Sequence, residues 1–165
     1  MENNVYSAPN SDVAIAESGE HELAGRWSRL GASIIDGLTI MPITLPLMYF
    51  TGGFAGLSKG VAPSFMYSLG MALVGILVFI IIHGYLLVKN GQTVGKKVLG
   101  IKIVTLENEL PKMSNLTRRY GLYWLLPQIP MVGPYINLVN VLFIFTKSKR
   151  CLHDHLGGTK VVLAR

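Results

Sequence analysis

The chain has 165 residues, of which 50% are hydrophobic and only 15% are charged, and its mean hydropathy is +0.44. Because soluble domains carry about 25% charged residues, this composition excludes an ordinary water-soluble domain, and it also excludes a disordered or collagen-like chain. Residues 1–25 contain five acids and no Lys or Arg, whereas the rest contains all fifteen basic residues and four acids, for a net charge of +11. The basic residues flank apolar runs instead of forming one face, which predicts a membrane protein that does not bind nucleic acid.

Residues 1–25 are predicted to form a disordered acidic tail, and residues 26–165 a transmembrane domain. The tail is polar, and the first apolar run starts only near Gly31, so we do not expect a signal peptide. Cys151 is the single cysteine of the sequence, which excludes an intramolecular disulfide and a zinc site built from several cysteines.

The first two apolar runs each have the length of a membrane-spanning helix. They cover Gly31–Phe50 and Phe65–Val88, and about 20 residues are needed to cross a hydrocarbon core of ~30 Å. Pro42 and Pro46 predict a kink in the outer half of the first helix. The second run is the more uniform of the two, with His83 as its only ionisable side chain.

The third apolar run, Tyr120–Phe145, is interrupted by residues that break helices, namely Pro127, Pro130, Gly133 and Pro134. These residues predict two pieces of about ten residues each. The run is too short to cross twice, because about 13 residues of helix reach only ~20 Å. It is therefore either a single kinked crossing or two half-helices that re-enter the membrane, a path tolerated where protein or a water-filled cavity surrounds it.

The distribution of Lys and Arg predicts the orientation. Two of these residues precede the first run, one lies in the first loop, seven lie in the second loop and five follow the third run. The N-terminus and the second loop are thus predicted to be cytoplasmic. A single crossing by the third run would place five basic residues outside, so we favour the re-entrant path and a cytoplasmic C-terminus.

Two segments outside the apolar runs favour β structure. The stretches GIKIVT (residues 100–105) and TKVVLA (Thr159–Ala164) are rich in β-branched residues and are predicted to pair as a small cytoplasmic β element. Gly91, Gly95 and Gly100 are assigned to turns, because the spacing of a phosphate-binding loop is absent. The predicted fold class is an all-α membrane protein with two full transmembrane helices, the Pro-broken third segment and this β element.

Asp36 is the first candidate for a functional residue, because it lies about two turns into the first apolar run. A carboxylate inside hydrocarbon is costly, so it should face the protein interior and pair with a cation, bind an ion or take up a proton. The alternative is a structural role, either a permanent ion pair with Arg29 or Arg26 or a hydrogen bond to a neighbouring helix.

Arg29 and Asp154 form a second candidate group. Arg29 is predicted to lie at the cytoplasmic interface, where its guanidinium reaches phosphate head groups or a carboxylate. Asp154 is predicted to pair with Arg29 and so to tie the C-terminal tail to the first helix. The alternation of His153, Asp154 and His155 resembles a metal-binding pattern, but we do not predict a metal site there.

The remaining candidates are polar residues within the apolar runs. His83 is interpreted as a buried, hydrogen-bonded side chain, with titration near physiological pH as the alternative. Three amides of the third run either coordinate a small cation or bond between helices; they are Gln128, Asn137 and Asn140. No nucleophile with an adjacent base is recognisable, so neither an enzyme nor a cofactor is predicted.

Three motifs in this order, GRWSRLGASIIDG, GQTVGKKVLGIKIV and RCLHDHLGGTKVV, resemble the RDD family of small bacterial membrane proteins. The family is named for one arginine and two aspartates, which fall on Arg29, Asp36 and Asp154 in this sequence. The resemblance implies a multi-pass protein of the bacterial inner membrane. Some members have been proposed to act as Na+(Li+, K+)/H+ antiporters.

Two functions follow as expectations. In the first, a homo-oligomer in the lipid bilayer exchanges protons for a monovalent cation through Asp36, aided by Arg29 and the amides of the third run. Oligomerisation is required because one chain of this size is too small to enclose an alternating-access pathway. In the second, the protein is a membrane scaffold or accessory subunit, and the Arg and Asp residues only stabilise its fold.

Overall fold

The computed structural model describes residues 22–129, 132–146 and 148–164, and it is mostly helical. Most of the predicted acidic tail, residues 1–21, therefore lies outside the described residues. The elements are, in chain order, α1 (Arg26–Phe50), α2 (Phe65–Asn90), α3 (Val94–Val98), β1 (Ile101–Thr105), α4 (Met113–Leu125), α5 (Gly133–Leu142), α6 (Leu152–Gly157) and β2 (Thr159–Leu163). Short 3-10 turns cover Leu57–Lys59, Leu126–Gln128 and Phe143–Phe145.

Helices α1 and α2 correspond to the first two apolar runs and are long and apolar enough to cross a membrane. Helix α1 continues through both prolines. Ser64 caps the start of α2 by accepting a hydrogen bond from the amide of Tyr67, and Gly91 ends α2 in the left-handed conformation (φ 65°). Only 11% of the most apolar window of α1 and 33% of that of α2 is buried within the protein. The apolar surface left uncovered suits contact with lipid.

Strands β1 and β2 form the predicted two-stranded antiparallel sheet, with Ile101 opposite Leu163 and Thr105 opposite Thr159. The buried core lies where this sheet meets the helices. Its fully or almost fully buried apolar side chains come from both strands, from the segment before α1, from the start of α1 and from α4; they are Ala24, Ala32, Ile101, Ile103, Leu116 and Val161. The β element is therefore confirmed as a structural unit, whereas its cytoplasmic location stays a prediction.

Residues 22–24, which the prediction placed in the tail, pair with the free edge of β2. The amide of Ala24 donates to the carbonyl of Val161, and the amide of Leu163 donates to the carbonyl of Glu22. On the other edge of the sheet, the amide of Ile103 donates to the carbonyl of Gly91. Backbone groups on both edges of the sheet are thus hydrogen-bonded to neighbouring chain segments.

In the described residues the third apolar run is covered by the end of α4, two 3-10 turns and α5. Helix α4 begins at Met113, seven residues before the apolar run, and α5 follows the break. Strand β2 is hydrogen-bonded to β1, and α6 packs against α4. After the third run, the chain therefore returns to the part of the protein that contains β1 and the start of α4. This return fits a re-entrant path, which stays the prediction for the run.

Gly91 and Gly100 occupy turns with positive φ of 65° and 62°, as predicted, whereas the assignment of Gly95 to a turn is wrong. Gly95 lies in α3, directly against α1, and an added Cβ would come within 2.2 Å of the carbonyl oxygen of Ala32. This glycine is required because two backbones approach each other closely. The contact places α3 beside Asp36, which lies one turn further along α1.

Candidate functional site

The structure places Asp36 in a buried group of polar side chains between α1 and α3. Its Oδ1 accepts a hydrogen bond from the amide of Gly95 at 2.7 Å, and its Oδ2 accepts one from the hydroxyl of Thr93 at 2.6 Å. Thr93 also caps α3 by accepting a bond from the amide of Lys96. Each carboxylate oxygen therefore has a fixed donor, and α1 is tied to the segment that follows α2.

The cation next to Asp36 is Lys96, whose Nζ lies 3.6 Å from Oδ2 of Asp36 and 3.3 Å from the hydroxyl of Thr93. The side chain of Lys96 is buried. The expected alternatives for this ion pair, Arg29 or Arg26, are wrong, because Arg29 bonds to Asp154 and Arg26 to carbonyl groups of residues 144 and 145. Lys96 was missed because pairing across α1 and α3 depends on tertiary packing, although its place in the GKK motif was a usable signal.

His83, on α2, completes this group, which we call the Asp36 cluster (Asp36, His83, Thr93, Lys96). The ring is fully buried, its Nδ1 accepts from the amide of Val94 at 3.2 Å, and its Nε2 faces the hydroxyl of Thr39 at 3.3 Å. That hydroxyl donates to the carbonyl of Asp36 at 2.7 Å, so the hydrogen-bond network assigns the proton of a neutral ring to Nε2. The Nδ1 of His83 lies 3.8 Å from Oδ1 of Asp36. This arrangement agrees with the interpretation of His83 as a hydrogen-bonded core histidine.

Asp154 lies in a separate group, the Asp154 cluster (Arg29, Arg119, His153, Asp154), where its side chain is only 1% exposed. Its Oδ1 pairs with Arg119, and its Oδ2 lies 3.3 Å from Arg29 and accepts from the amide of Cys151 at 2.9 Å. The predicted pair of Arg29 and Asp154 is thus present. Arg119 is a second partner that the sequence reasoning treated only as a basic residue of the loop.

Both arginines of this cluster also bind backbone or side-chain oxygens of other elements. Arg29 donates to the carbonyl of Lys149 and, at 2.9 Å, to the carbonyl of Val161. Arg119 donates to the hydroxyl of Thr159 at 2.7 Å. Arg29 is buried, so the alternative in which its guanidinium reaches lipid head groups is not what the structure shows. The cluster instead joins α1, α4, α6 and β2.

The electrostatics of the Asp154 cluster keep the carboxylate charged and the histidine neutral. Burial alone would raise the pKa of Asp154, but the charges of Arg119 and Arg29 and the hydrogen bond from the amide of Cys151 outweigh burial and hold this pKa below its usual value. Burial and the adjacent charge of Arg119 lower the pKa of His153 to about 3. Its Nε2 lies 3.3 Å from Arg119, and its Nδ1 lies 2.9 Å from the amide oxygen of Asn140, which places the proton of the neutral ring on Nδ1.

Cys151, His153 and Asp154 bring potential metal ligands within 4.8 Å of one another. Two features oppose metal binding at this position. Burial raises the pKa of the Cys151 thiol to about 11, whereas a metal ligand must be the thiolate. Both oxygens of Asp154 are already bonded, and a cation there would sit beside two guanidinium groups. The structure thus gives no support to a metal site among these residues.

The three amides of the third run do not gather around Asp36 in the described part of the chain. Asn140 contacts the Asp154 cluster through His153, whose backbone amide also donates to the side-chain oxygen of Asn140 at 3.0 Å. Gln128 is half-buried in the 3-10 turn after α4, and the side chain of Asn137 lies outside the described residues. For Asn140, the helix-packing alternative is the one present.

Comparison with known proteins matches residues 23–158 to the RDD family. In Bacillus subtilis (strain 168), "Uncharacterized membrane protein YteJ" is 29% identical over 152 residues, which cover 89% of this chain and 85% of that protein. From the same organism, "Uncharacterized protein YckC" is 30% identical over 143 residues, which cover 86% of this chain and 85% of that protein. No solved structure matches the chain significantly. Since the match runs from the residues that pair with β2 to the end of α6 and contains Arg29, Asp36 and Asp154, the chain belongs to the RDD family.

Proposed function

We propose that this membrane protein exchanges a monovalent cation (Na+, Li+ or K+) for a proton, with Asp36 as the exchange site. The observation that supports the proposal is the pairing of Asp36, within a helix of membrane-spanning length, with the buried ammonium of Lys96 at 3.6 Å. An ionisable residue inside the membrane is by default a candidate for a functional site. The partner of Asp36 is a cation that can lose its charge by releasing a proton.

Exchange would proceed by competition between Lys96 and the transported ion for the carboxylate. When the ammonium of Lys96 releases its proton, the charge of Asp36 is left unbalanced, and a monovalent cation restores the balance by binding beside it. The hydroxyl of Thr93, 2.6 Å from Oδ2 of Asp36, offers a further oxygen ligand of the kind such cations prefer. Reprotonation of Lys96 would expel the ion. The proton on Lys96 and the transported cation would thus alternate as the positive charge beside Asp36.

In this proposal the Asp154 cluster positions the helices and does not carry ions. Arg29 and Asp154 hold α1 against the C-terminal segment, and Asn140 fixes His153. Gln128 and Asn137 keep their place as candidate cation ligands of the third segment. We further propose that the protein is a homo-oligomer, since one copy with two membrane-length helices is too small to enclose an exchange pathway.

The same proposal places the chain in the bacterial inner membrane with both termini in the cytoplasm. The surplus of Lys and Arg in the second loop and after the third run supports this orientation. The pairing of β1 with β2 supports it as well, because both strands must lie on one side of the bilayer. Labelling of single cysteines placed at Lys102 and Lys160 in a Cys151→Ala background, from each side of sealed vesicles, tests the orientation.

The experiment that tests exchange uses the purified full-length chain in liposomes with an imposed pH gradient and a pulse of Na+ or K+. Wild-type protein should dissipate the gradient only when the cation is added, and Asp36→Asn should reduce the flux to that of empty liposomes. Glu109→Gln removes an exposed carboxylate after β1 and is the matched control that should transport normally. Size-exclusion chromatography with light scattering of the same sample measures the number of copies.

A second variant tests the role given to Lys96. Lys96→Arg keeps a positive charge beside Asp36 but cannot release its proton at any accessible pH. We expect this variant to fold and to show no exchange. Cation-driven proton movement at the wild-type rate in Lys96→Arg would contradict competition with Lys96.

The second candidate function is a membrane scaffold or accessory subunit. It is favoured by the two hydrogen bonds that Asp36 already accepts from the amide of Gly95 and the hydroxyl of Thr93, which fix α3 to α1. If well-folded wild-type protein of defined oligomeric state shows no flux with Na+, K+ or Li+, exchange is excluded and this candidate remains.

A further inference from the structure

Basic residues of two chain segments come together near the start of α1. Arg26 is the first residue of that helix, and its Nε donates to the carbonyl of Ile144 at 3.1 Å. Its guanidinium also lies 5.8 Å from the centre of the Phe145 ring, at the distance of a cation–π contact. Arg26 therefore holds the segment that follows α5 against the first turn of α1.

Lys149 and Arg150 belong to the same segment after α5, which lies near the start of α1. The carbonyl of Lys149 accepts from Arg29, one turn after Arg26, and the backbone of Lys149 has a φ of 49°, which is uncommon for a residue with a Cβ. Arg150 donates to the carbonyls of Thr159 and Asp154 at 2.9 and 3.2 Å. We call Arg26, Lys149 and Arg150 the basic cluster.

The positive charge at this place exceeds the negative charge. The carboxylate of Asp154 is already shared by Arg29 and Arg119, so it does not neutralise the basic cluster. Even if Glu22, four residues before Arg26, is counted with Asp154, this region contains two carboxylates and five cationic residues, namely Arg26, Arg29, Arg119, Lys149 and Arg150. Such an excess in a small region attracts anions.

The surroundings of the basic cluster indicate which anion it meets. Trp27 is 83% exposed and Phe145 is 66% exposed, and both flank Arg26 at the end of a helix long enough to cross a membrane. Exposed aromatic residues at helix ends are typical of the membrane interface. An anion at that depth is a lipid phosphate rather than a phosphate ion from solution.

We infer that the basic cluster binds the phosphate of an anionic phospholipid headgroup in the leaflet that contains the start of α1. Arg26 and Lys149 supply the charge that contacts the headgroup, while Trp27 and Phe145 pack on the upper part of the acyl chains. The inference requires that α1 lies in the bilayer and does not depend on cation exchange.

The fluorescence of Trp27, the residue next to Arg26, provides the test. The full-length protein is reconstituted in phosphatidylcholine bilayers that contain about a quarter phosphatidylglycerol. Bromine is placed near the headgroup end of the acyl chains of one lipid or of the other. Because bromine quenches tryptophan on contact, brominated phosphatidylglycerol should quench more than its share of the lipid predicts. A Trp27→Phe variant measures the contribution of Trp124.

Arg26→Gln combined with Lys149→Gln should remove this preference, since each basic residue near the surface is worth about a fivefold change in affinity for anionic lipid. Lys112→Gln, which removes an exposed charge before α4, is the control and should retain the preference. An equal melting temperature of the double variant and wild type in pure phosphatidylcholine shows that the fold is intact.

Two results of the quenching experiment would overturn the inference, and a competition with inorganic phosphate provides a third test. One is equal quenching by the two brominated lipids, and the other is a preference that the double variant keeps. Inorganic phosphate in millimolar excess should not restore the fluorescence; if it does, the site binds free phosphate and the assignment to lipid is wrong.

Discussion

Two buried aspartates of this protein have different kinds of partner. Asp154 is paired with Arg29 and Arg119, whose guanidinium groups stay charged at every accessible pH, whereas Asp36 is paired with Lys96 and lies beside His83, both of which can change their charge. An ion pair with arginine is permanent, and an ion pair with lysine can be dissolved by loss of a proton. The type of partner, more than the burial of the carboxylate, therefore distinguishes Asp36, which we propose as the exchange site, from Asp154.

The two clusters also join different parts of the chain. The Asp154 cluster connects α1 with residues more than a hundred positions later, so it holds the two ends of the domain together. The Asp36 cluster connects α1 with the segment just after α2. Loss of the first should unfold the whole domain, and loss of the second should release one short helix.

Asp154→Asn should have the largest effect on stability. It leaves Arg29 and Arg119 charged, buried and without a counter-ion, and breaking a buried ion pair in this way costs about 3–5 kcal/mol. The free energy of unfolding in detergent, followed by circular dichroism, measures the loss. A variant within about 1 kcal/mol of wild type would contradict the structural role assigned to this cluster.

Gly95→Ala should be the next most damaging change. The new methyl group would lie 2.2 Å from the carbonyl oxygen of Ala32 and 3.0 Å from Oδ1 of Asp36, so α3 must move away from α1, at a cost of about 1–3 kcal/mol. Gly37→Ala is the matched control on α1, because no atom lies within 4 Å of its added methyl group. It should be neutral or stabilising by up to about 1 kcal/mol. Equal melting temperatures for both variants would show that the close approach at Gly95 is not required.

Asp36→Asn should destabilise the protein by only about 1–2 kcal/mol. The amide oxygen can still accept from the amide of Gly95, and the Nζ of Lys96 keeps the hydroxyl of Thr93 as a partner at 3.3 Å. The same measurement as for Asp154→Asn provides the comparison. A loss as large as that of Asp154→Asn would mean that both clusters are structural and would favour the scaffold.

The smallest effect is the pH dependence contributed by His153. Its pKa is about 3 in the folded protein and about 6.5 in the unfolded chain, so below pH 6.5 the unfolded state binds a proton that the folded state does not. Stability from this residue is complete above pH 6.5 and falls as the pH decreases towards 3, by about 1.4 kcal/mol at pH 5.5. Asp154 does not interfere between pH 6.5 and about 4.5, because its lowered pKa lies below this window.

His153→Gln should flatten this part of the stability profile, whereas His155→Gln, which changes an exposed histidine, should leave its slope unchanged. Unfolding free energies measured at several pH values from 7.5 to 4.5 give both slopes. Equal slopes in wild type and His153→Gln would show that the ring of His153 takes up a proton in the folded state.

Much of the fold could be predicted because it depends on local patterns. Apolar runs predicted α1 and α2, and β-branched residues indicated both strands. These signals reside within a few neighbouring residues. The boundaries were less accurate, since α4 begins in the polar stretch at Met113 and residues 22–24 join the sheet.

The candidate site could be predicted only in part, because its partners come together through packing. The pair of Arg29 and Asp154 could be predicted because the re-entrant path predicted for the third run places both residues on the same side of the membrane. Lys96 and Arg119 were counted only as charges that set the orientation. Gly95 was assigned to a turn because a sequence does not show which glycines face another backbone. Positions of this kind depend on contacts between segments that are far apart in the chain.

The pairing of β1 with β2 has a consequence for how the protein is made. Strand β1 is synthesised before the third apolar run, but its partner occupies the last described residues of the chain. Until β2 is synthesised, the edge of β1 that pairs with it has no partner, and the core around Ile101 and Ile103 is incomplete. The sheet can therefore close only after β2 has been synthesised, and a chain lacking residues 159–163 should be recognised by quality-control proteases as incompletely folded.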